Sequence, residues 1–135
     1  MAAKFGYTFM WVDDVMKTVE FYENAFGLQR RSIRENGPMG LFAELETGDT
    51  TLAIADVKEA NAIFPGGYRK NGTTEIPGAF QVTFITSQVA ETYQAALAAG
   101  ATPQTEPTLH PWGQTIARIR DINGIFVSIA SPLLN

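Results

Sequence analysis

The segment Phe9-Met-Trp-Val-Asp-Asp-Val15 can be written above Thr83-Phe-Ile-Thr-Ser-Gln-Val89, an offset of 74 residues, and the segments that follow each one repeat in the same order. An apolar run comes first, then a stretch of helical spacing, then three further strand-like runs. This repeat is the strongest constraint on the chain, because each copy must be one supersecondary unit whose apolar faces need cover.

In the first copy, Phe5 to Val12 is rich in aromatic and β-branched residues and ends at Asp13-Asp14, which predicts a strand followed by a helix N-cap. Val15, Val19, Tyr22 and Phe26 then recur at helical spacing before Gly27, predicting a helix over 15–26. Strands are expected near 28–35, 40–47 and 50–56, separated by Glu35-Asn-Gly-Pro38 and Gly48-Asp49. Residues 57–78 combine a short helix with a stretch rich in Pro, Gly and Asn, which reads as a linker or lid. In the second copy, Phe80 to Thr86 is the strand, Ser87 the expected cap, and Val89, Tyr93 and Ala96-Leu97 one face of a helix stopped by Gly100. Strands near 102–107, 114–120 and 125–130 follow, the last two joined at Asp121-Ile-Asn-Gly124.

The expected architecture is α+β: two tandem β-α-β-β-β modules, at about 4–58 and 79–132 with a connecting loop near 59–78. Each supplies a curved mixed sheet with its helix outside and a concave cleft inside. Side chains alternate along a strand, so Thr8, Met10 and Val12 take one face of the first strand and Tyr7, Phe9 and Trp11 the other. The smaller set suits the helix, which turns the aromatic set toward the concave side.

Composition narrows the chemistry. With 135 residues the chain can bury roughly two-thirds of its unfolded surface, enough for a core without staples. It has no cysteine and one histidine, which excludes thiolate catalysis, disulfides and any centre that needs two imidazoles. Only carboxylate or amide oxygens could complete a metal shell. Fourteen acidic against ten basic side chains argue against a nucleic-acid partner, the closest basic groups being Arg30, Arg31 and Arg34. No apolar run has the length of a signal peptide or a membrane span, so the expectation is a cytoplasmic protein without a membrane partner.

Trp11-Val-Asp-Asp-Val-x-x-x-Val-x-Phe-Tyr22 with Phe26-Gly27, Gly100-Ala101, Pro111-Trp-Gly113 and Asp121-Ile-Asn-Gly124 resembles the glyoxalase, bleomycin-resistance and dioxygenase (vicinal oxygen chelate) superfamily over essentially the whole chain. Enzymes of that family bind one divalent metal through four side chains, one from the first and one from the last strand of each module. Carried over, the resemblance puts Tyr7, Ala53, Gln81 and Ser128 at these positions. A phenol, a methyl, an amide and a hydroxyl offer no anionic ligand for a hard cation, so no metal, no other cofactor and no catalytic residue are expected.

What then remains resembles the branch that sequesters drugs such as bleomycin and mitomycin in an aromatic crevice completed by a second subunit. The resemblance implies a homodimer holding a hydrophobic or aromatic small molecule. Tyr7, Phe9, Trp11 and Phe126 would stack on the ligand, Trp112 would form a further wall, and Gln81, Thr83 and Ser128 would fix orientation. Two alternatives stay open. One is a metal-dependent lyase, isomerase or ring-cleaving dioxygenase using Gln81 with Glu44, Glu46 or His110, and the other is a regulatory or interaction module with a self-plugged concave face. Of the remaining residues, His110 reads as a solvated loop histidine, and Arg118 and Arg120 as structural partners of acids such as Glu44 and Glu46.

Overall fold

The computed structural model describes residues 1–133. The elements run β1 (Tyr7–Val12), α1 (Val15–Phe26), β2 (Gln29–Glu35), a single 3-10 turn at Gly37–Met39, β3 (Leu41–Glu46), β4 (Thr51–Asp56), α2 (Val57–Ile63), β5 (Gln81–Ile85), α3 (Val89–Ala98), β6 (Thr102–Leu109), β7 (Thr115–Arg120) and β8 (Phe126–Ala130). They build two four-stranded mixed sheets in the orders β1-β4-β3-β2 and β5-β8-β7-β6. In both, the first strand of the module pairs in parallel with its last, and every other pairing is antiparallel. The architecture is therefore α+β with tandem β-α-β-β-β modules.

The chain divides into two compact units, residues 1–23 with 27–70, and residues 24–26 with 71–133. The boundary between residues 70 and 71 falls inside the stretch that the sequence marks as a connection.

In the first unit, α1 starts where Asp14 accepts a hydrogen bond from Lys17 N at 3.0 Å. It stops at Gly27, whose φ of 66° is left-handed backbone that costs glycine nothing. Met10, Val12, Leu45, Leu52 and Ile54 are buried, which makes that face of the sheet core.

In the second unit, α3 buries Val89, Tyr93 and Ala96 and packs on β6, β7 and β8. Its N-cap is Gln88, without a side-chain cap bond, instead of Ser87. The hydroxyl that serves this corner is that of Thr86, which accepts from Gln88 N at 3.1 Å and so shifts the turn by one residue.

The turn between β7 and β8 holds the most consequential local structure. Buried Asp121 accepts from Asn123 N and Ile125 N, both at 2.9 Å, and only Gly124 in this turn has a positive φ, 89°. The turn is thus an aspartate-capped one and not the two-residue primed type that Asn-Gly favours. Arg120 lies across it. Its Nε donates to Gly124 O at 3.1 Å, Nη1 to Thr73 O at 3.1 Å, and Nη2 to Gly72 O and Glu75 O, both at 2.8 Å. The sequence reading of Arg120 as a partner of Glu44 or Glu46 is corrected, since a guanidinium with its five fixed donors is better matched by converging carbonyls.

No helix among the described residues is long and apolar enough to cross a membrane. A Cβ at position 124 would clash with Gly72 O and sit 2.9 Å from Arg120 Nη2. Gly124→Ala should therefore expel residues 72–75 from the Arg120 fork and cost about 2–3 kcal/mol, from strained backbone and lost charge-assisted hydrogen bonds. A urea titration by circular dichroism checks this through the unfolding midpoint, and a midpoint equal to wild type would contradict it.

Candidate functional site

Strand alternation and register build an aromatic face on the first sheet. The faces of Tyr7, Phe9 and Trp11 on β1 continue across β4 as Thr51, Ala53 and Ala55, and across β3 as Phe42, in register with Ala55, and Glu44, in register with Ala53. On β2 the row ends at Ser32 beside Glu44 and Arg34 beside Phe42. Two alanines thus separate large side chains on either side. The rings close over them, with Phe9 and Phe42 centroids 5.7 Å apart and Phe9 and Trp11 4.6 Å apart, and Ala53 and Ala55 are each only 1 % exposed. Small residues in the middle strand are what give neighbouring rings room to lie across the sheet.

The edges of this face are held by polar contacts. Trp11 Nε1 donates to Glu59 Oε1 at 3.3 Å, its ring meets Phe64 edge-on at 5.3 Å, and Asn36 donates to the other oxygen of Glu59 at 3.4 Å. Tyr7, at the opposite end, is 63 % exposed and tilts against Phe9 at 6.2 Å.

A bulge in β2 between Arg30 and Ser32 sends the two arginines to different partners. Arg30 pairs with Glu23 of α1 at 2.8 Å. Arg31 grips Glu46 with two bonds, at 2.6 and 2.9 Å, and reaches Thr51 Oγ1 at 2.9 Å. The hydrogen bond from Arg31, reinforced by its charge, holds the Glu46 carboxyl below its usual range and raises Arg31 in return. Glu44 accepts from Ser32 Oγ at 3.1 Å. Glu44 and Glu46 therefore find their cation in Arg31 of the neighbouring strand, at 3.9 and 2.6 Å, instead of in Arg118 and Arg120 as expected.

The second unit gathers the polar residues. Ser128, 1 % exposed, donates to Gln81 Oε1 at 2.9 Å, and Gln81 Nε2 donates to Thr83 Oγ1 at 3.1 Å. Phe126 stands in register with Gln81, and Ser128 with both Thr83 and Arg118. Trp112 lies on the hairpin between β6 and β7, 58 % exposed, stacked on His110 at 4.5 Å and 17° and donating to Gln114 Oε1 at 2.8 Å. His110 is half-buried, in contrast to its expected solvated state, and its Nε2 is buried without a hydrogen-bond partner among the described residues.

The structure thus brings Tyr7, Phe9 and Trp11 together in one unit and Gln81, Thr83, Phe126 and Ser128 together in the other. The sequence reading passed over Phe42, Phe64 and Glu59. Phe42 was within reach of it, since Phe42, Glu44 and Glu46 alternate against Ala43 and Leu45.

The four positions that the resemblance assigns to a metal, Tyr7, Ala53, Gln81 and Ser128, offer a donor set that does not fit a divalent cation. Ala53 carries no donor and is flanked in register by Phe9 and Glu44, while Gln81 and Ser128 already bond each other. No cluster of three or more His, Asp or Glu side chains among the described residues could hold a metal ion.

A family model described as "Glyoxalase/Bleomycin resistance protein/Dioxygenase superfamily" matches residues 4–129. No curated protein matches the chain at a significant level. Among solved structures, the chain is similar to a glyoxalase-related enzyme from Fulvimarina pelagi, with TM-score 0.78 and 17 % identity over 97 % of this chain and 89 % of that one. A glyoxalase/bleomycin resistance protein/dioxygenase family enzyme from Burkholderia phytofirmans PsJN gives TM-score 0.73 and 21 % identity over 95 % and 97 %. A member of the same superfamily from Sphaerobacter thermophilus gives 0.70 and 22 % over 97 % and 98 %. At these identities the structures speak for the fold, and the family model, covering nearly the whole chain, shows that this protein belongs to the glyoxalase, bleomycin-resistance and dioxygenase superfamily.

Proposed function

We propose that the chain is a metal-free binding protein of this superfamily that sequesters a hydrophobic or aromatic small molecule, of the antibiotic type, against Tyr7, Phe9 and Trp11. The observation that carries the reading is the aromatic face. Three rings on one strand, joined by Phe42 over two alanines, present π surface that ends in the exposed Tyr7. Such a surface stacks on planar ligands and performs no acid, base or nucleophilic step. Gln81, Thr83 and Ser128 are the orienting polar groups in this reading, with Phe126 and Trp112 as further apolar walls. The working form is a cytoplasmic homodimer whose second copy completes the crevice, without a nucleic-acid or membrane partner.

One observation favours the metal-dependent lyase, isomerase or dioxygenase instead. Glu44, a carboxylate, is the register neighbour of Ala53. Metal analysis separates the two readings, for the binder should contain no stoichiometric divalent metal, and a metal removed by EDTA together with an activity would establish the enzyme.

Titrating the protein with a panel of planar aromatic antibiotics should quench tryptophan fluorescence for at least one compound. Trp11→Ala should weaken that compound about tenfold or more, the scale of one lost stacking partner with its buried area. Absence of quenching across the panel would favour a plugged interaction module. Sedimentation at micromolar concentration should return a dimer, and a strict monomer would remove the second copy from the site.

A further inference from the structure

Of the carboxylates on the aromatic face, Glu44 is the one the protein's own donors occupy least. Glu46 is held by both arms of Arg31, and Glu59 accepts from Trp11 and Asn36. Glu44 accepts from the Ser32 hydroxyl through Oε1, while its Oε2 stands 3.9 Å from Arg31 Nη1, beyond hydrogen-bonding distance. The Glu44 side chain keeps 27 % of its surface exposed. In register it faces Phe9 across Ala53, two strands and so about 10 Å away backbone to backbone.

Two further features give this border a preferred ligand charge. The face already holds one planar cation, since the Arg34 guanidinium lies 4.9 Å from the centre of the Phe42 ring, the attraction expected between a cation and a π face. Of the charged side chains named on this face, three are carboxylates, Glu44, Glu46 and Glu59, and two are guanidiniums, Arg31 and Arg34. An anionic ligand would find the Arg31 fork taken up by Glu46 and Thr51.

We propose that Glu44 is the charge-selecting residue of the aromatic face, and that the ligand class is a planar aromatic carrying a protonated nitrogen. The ring system stacks on Phe9, and its N–H donates to Glu44 Oε2. This rests on the reading of the face as a binding surface and adds to it the sign of the ligand.

Calorimetric titration with 9-aminoacridine, a cation at neutral pH, and with 9-anthracenecarboxylate, an anion of the same ring size, tests it. The cation should bind about tenfold or more tightly than the anion, on the scale of one hydrogen bond to a charged group. Glu44→Gln should remove the preference by weakening the cation about tenfold while leaving the anion as it was. Wild-type affinity for the cation should also fall as salt is raised, and this holds the test open if Glu44→Gln does not fold. Equal binding of the two probes, or cation binding indifferent to both salt and Glu44→Gln, would overturn the role of Glu44 and leave the aromatic surface standing. Binding of neither probe would overturn both.

Discussion

Each unit depends on one pairing, the parallel seam between the first and last strands of its module, β1 with β4 and β5 with β8. The seam joins residues about 44 positions apart, as Tyr7 with Thr51 and Gln81 with Phe126, so it carries a high loop-closure cost. That cost is met by the buried side of the sheet. Met10, Val12, Leu52 and Ile54 on the first seam are nearly inaccessible, as are Val127 and Ile129 on the second. Once the buried face fixes the register, the opposite face is fixed with it, because a slip of one residue would turn the core set outward.

The open faces of the two seams have diverged in chemistry while keeping one topology. In the first unit the seam sets Phe9 beside Ala53 and Trp11 beside Ala55, and large against small is what allows rings to spread sideways. In the second it sets Thr83 beside Ser128, and the hydroxyls and the Gln81 amide satisfy one another. A carboxamide that already accepts from a buried serine is a poor metal ligand, and a methyl is none, so Gln81 and Ala53 are unsuited to a divalent cation for different physical reasons.

Much of this was legible in the sequence because it depends on period and repeat. The 74-residue offset exposed the modules, and α1 begins at Val15 and ends at Phe26, as the Asp14 and Gly27 signals require. What escaped depends on geometry with no local signature. The bulge at Arg31 inserts one residue into β2, so two successive arginines, which simple alternation would part by face alone, serve Glu23 of α1 and Glu46 of β3. The carbonyl fork of Arg120 comes from residues 72–75, more than forty positions earlier in a stretch without periodicity. The Thr86 hydroxyl took the corner bond assigned to Ser87, since either hydroxyl has the right chemistry and only the backbone path decides.

Charge on this protein is placed with the same economy. Arg30, Arg31 and Lys70 each end on a carboxylate, those of Glu23, Glu46 and Asp13, and Arg120 ends on carbonyls. These exposed pairs are worth little in stability one at a time, yet together they withdraw basic groups from the surface and leave the acidic excess to set the field. On the aromatic face the same arithmetic holds at close range. Arg31 holds Glu46 with two hydrogen bonds and Glu44 as a longer ion pair at 3.9 Å, and Arg34 lies over the Phe42 ring. Ring faces and carboxylates both attract positive charge, so the electrostatics of this surface follow from which side chains the strand register sets beside one another.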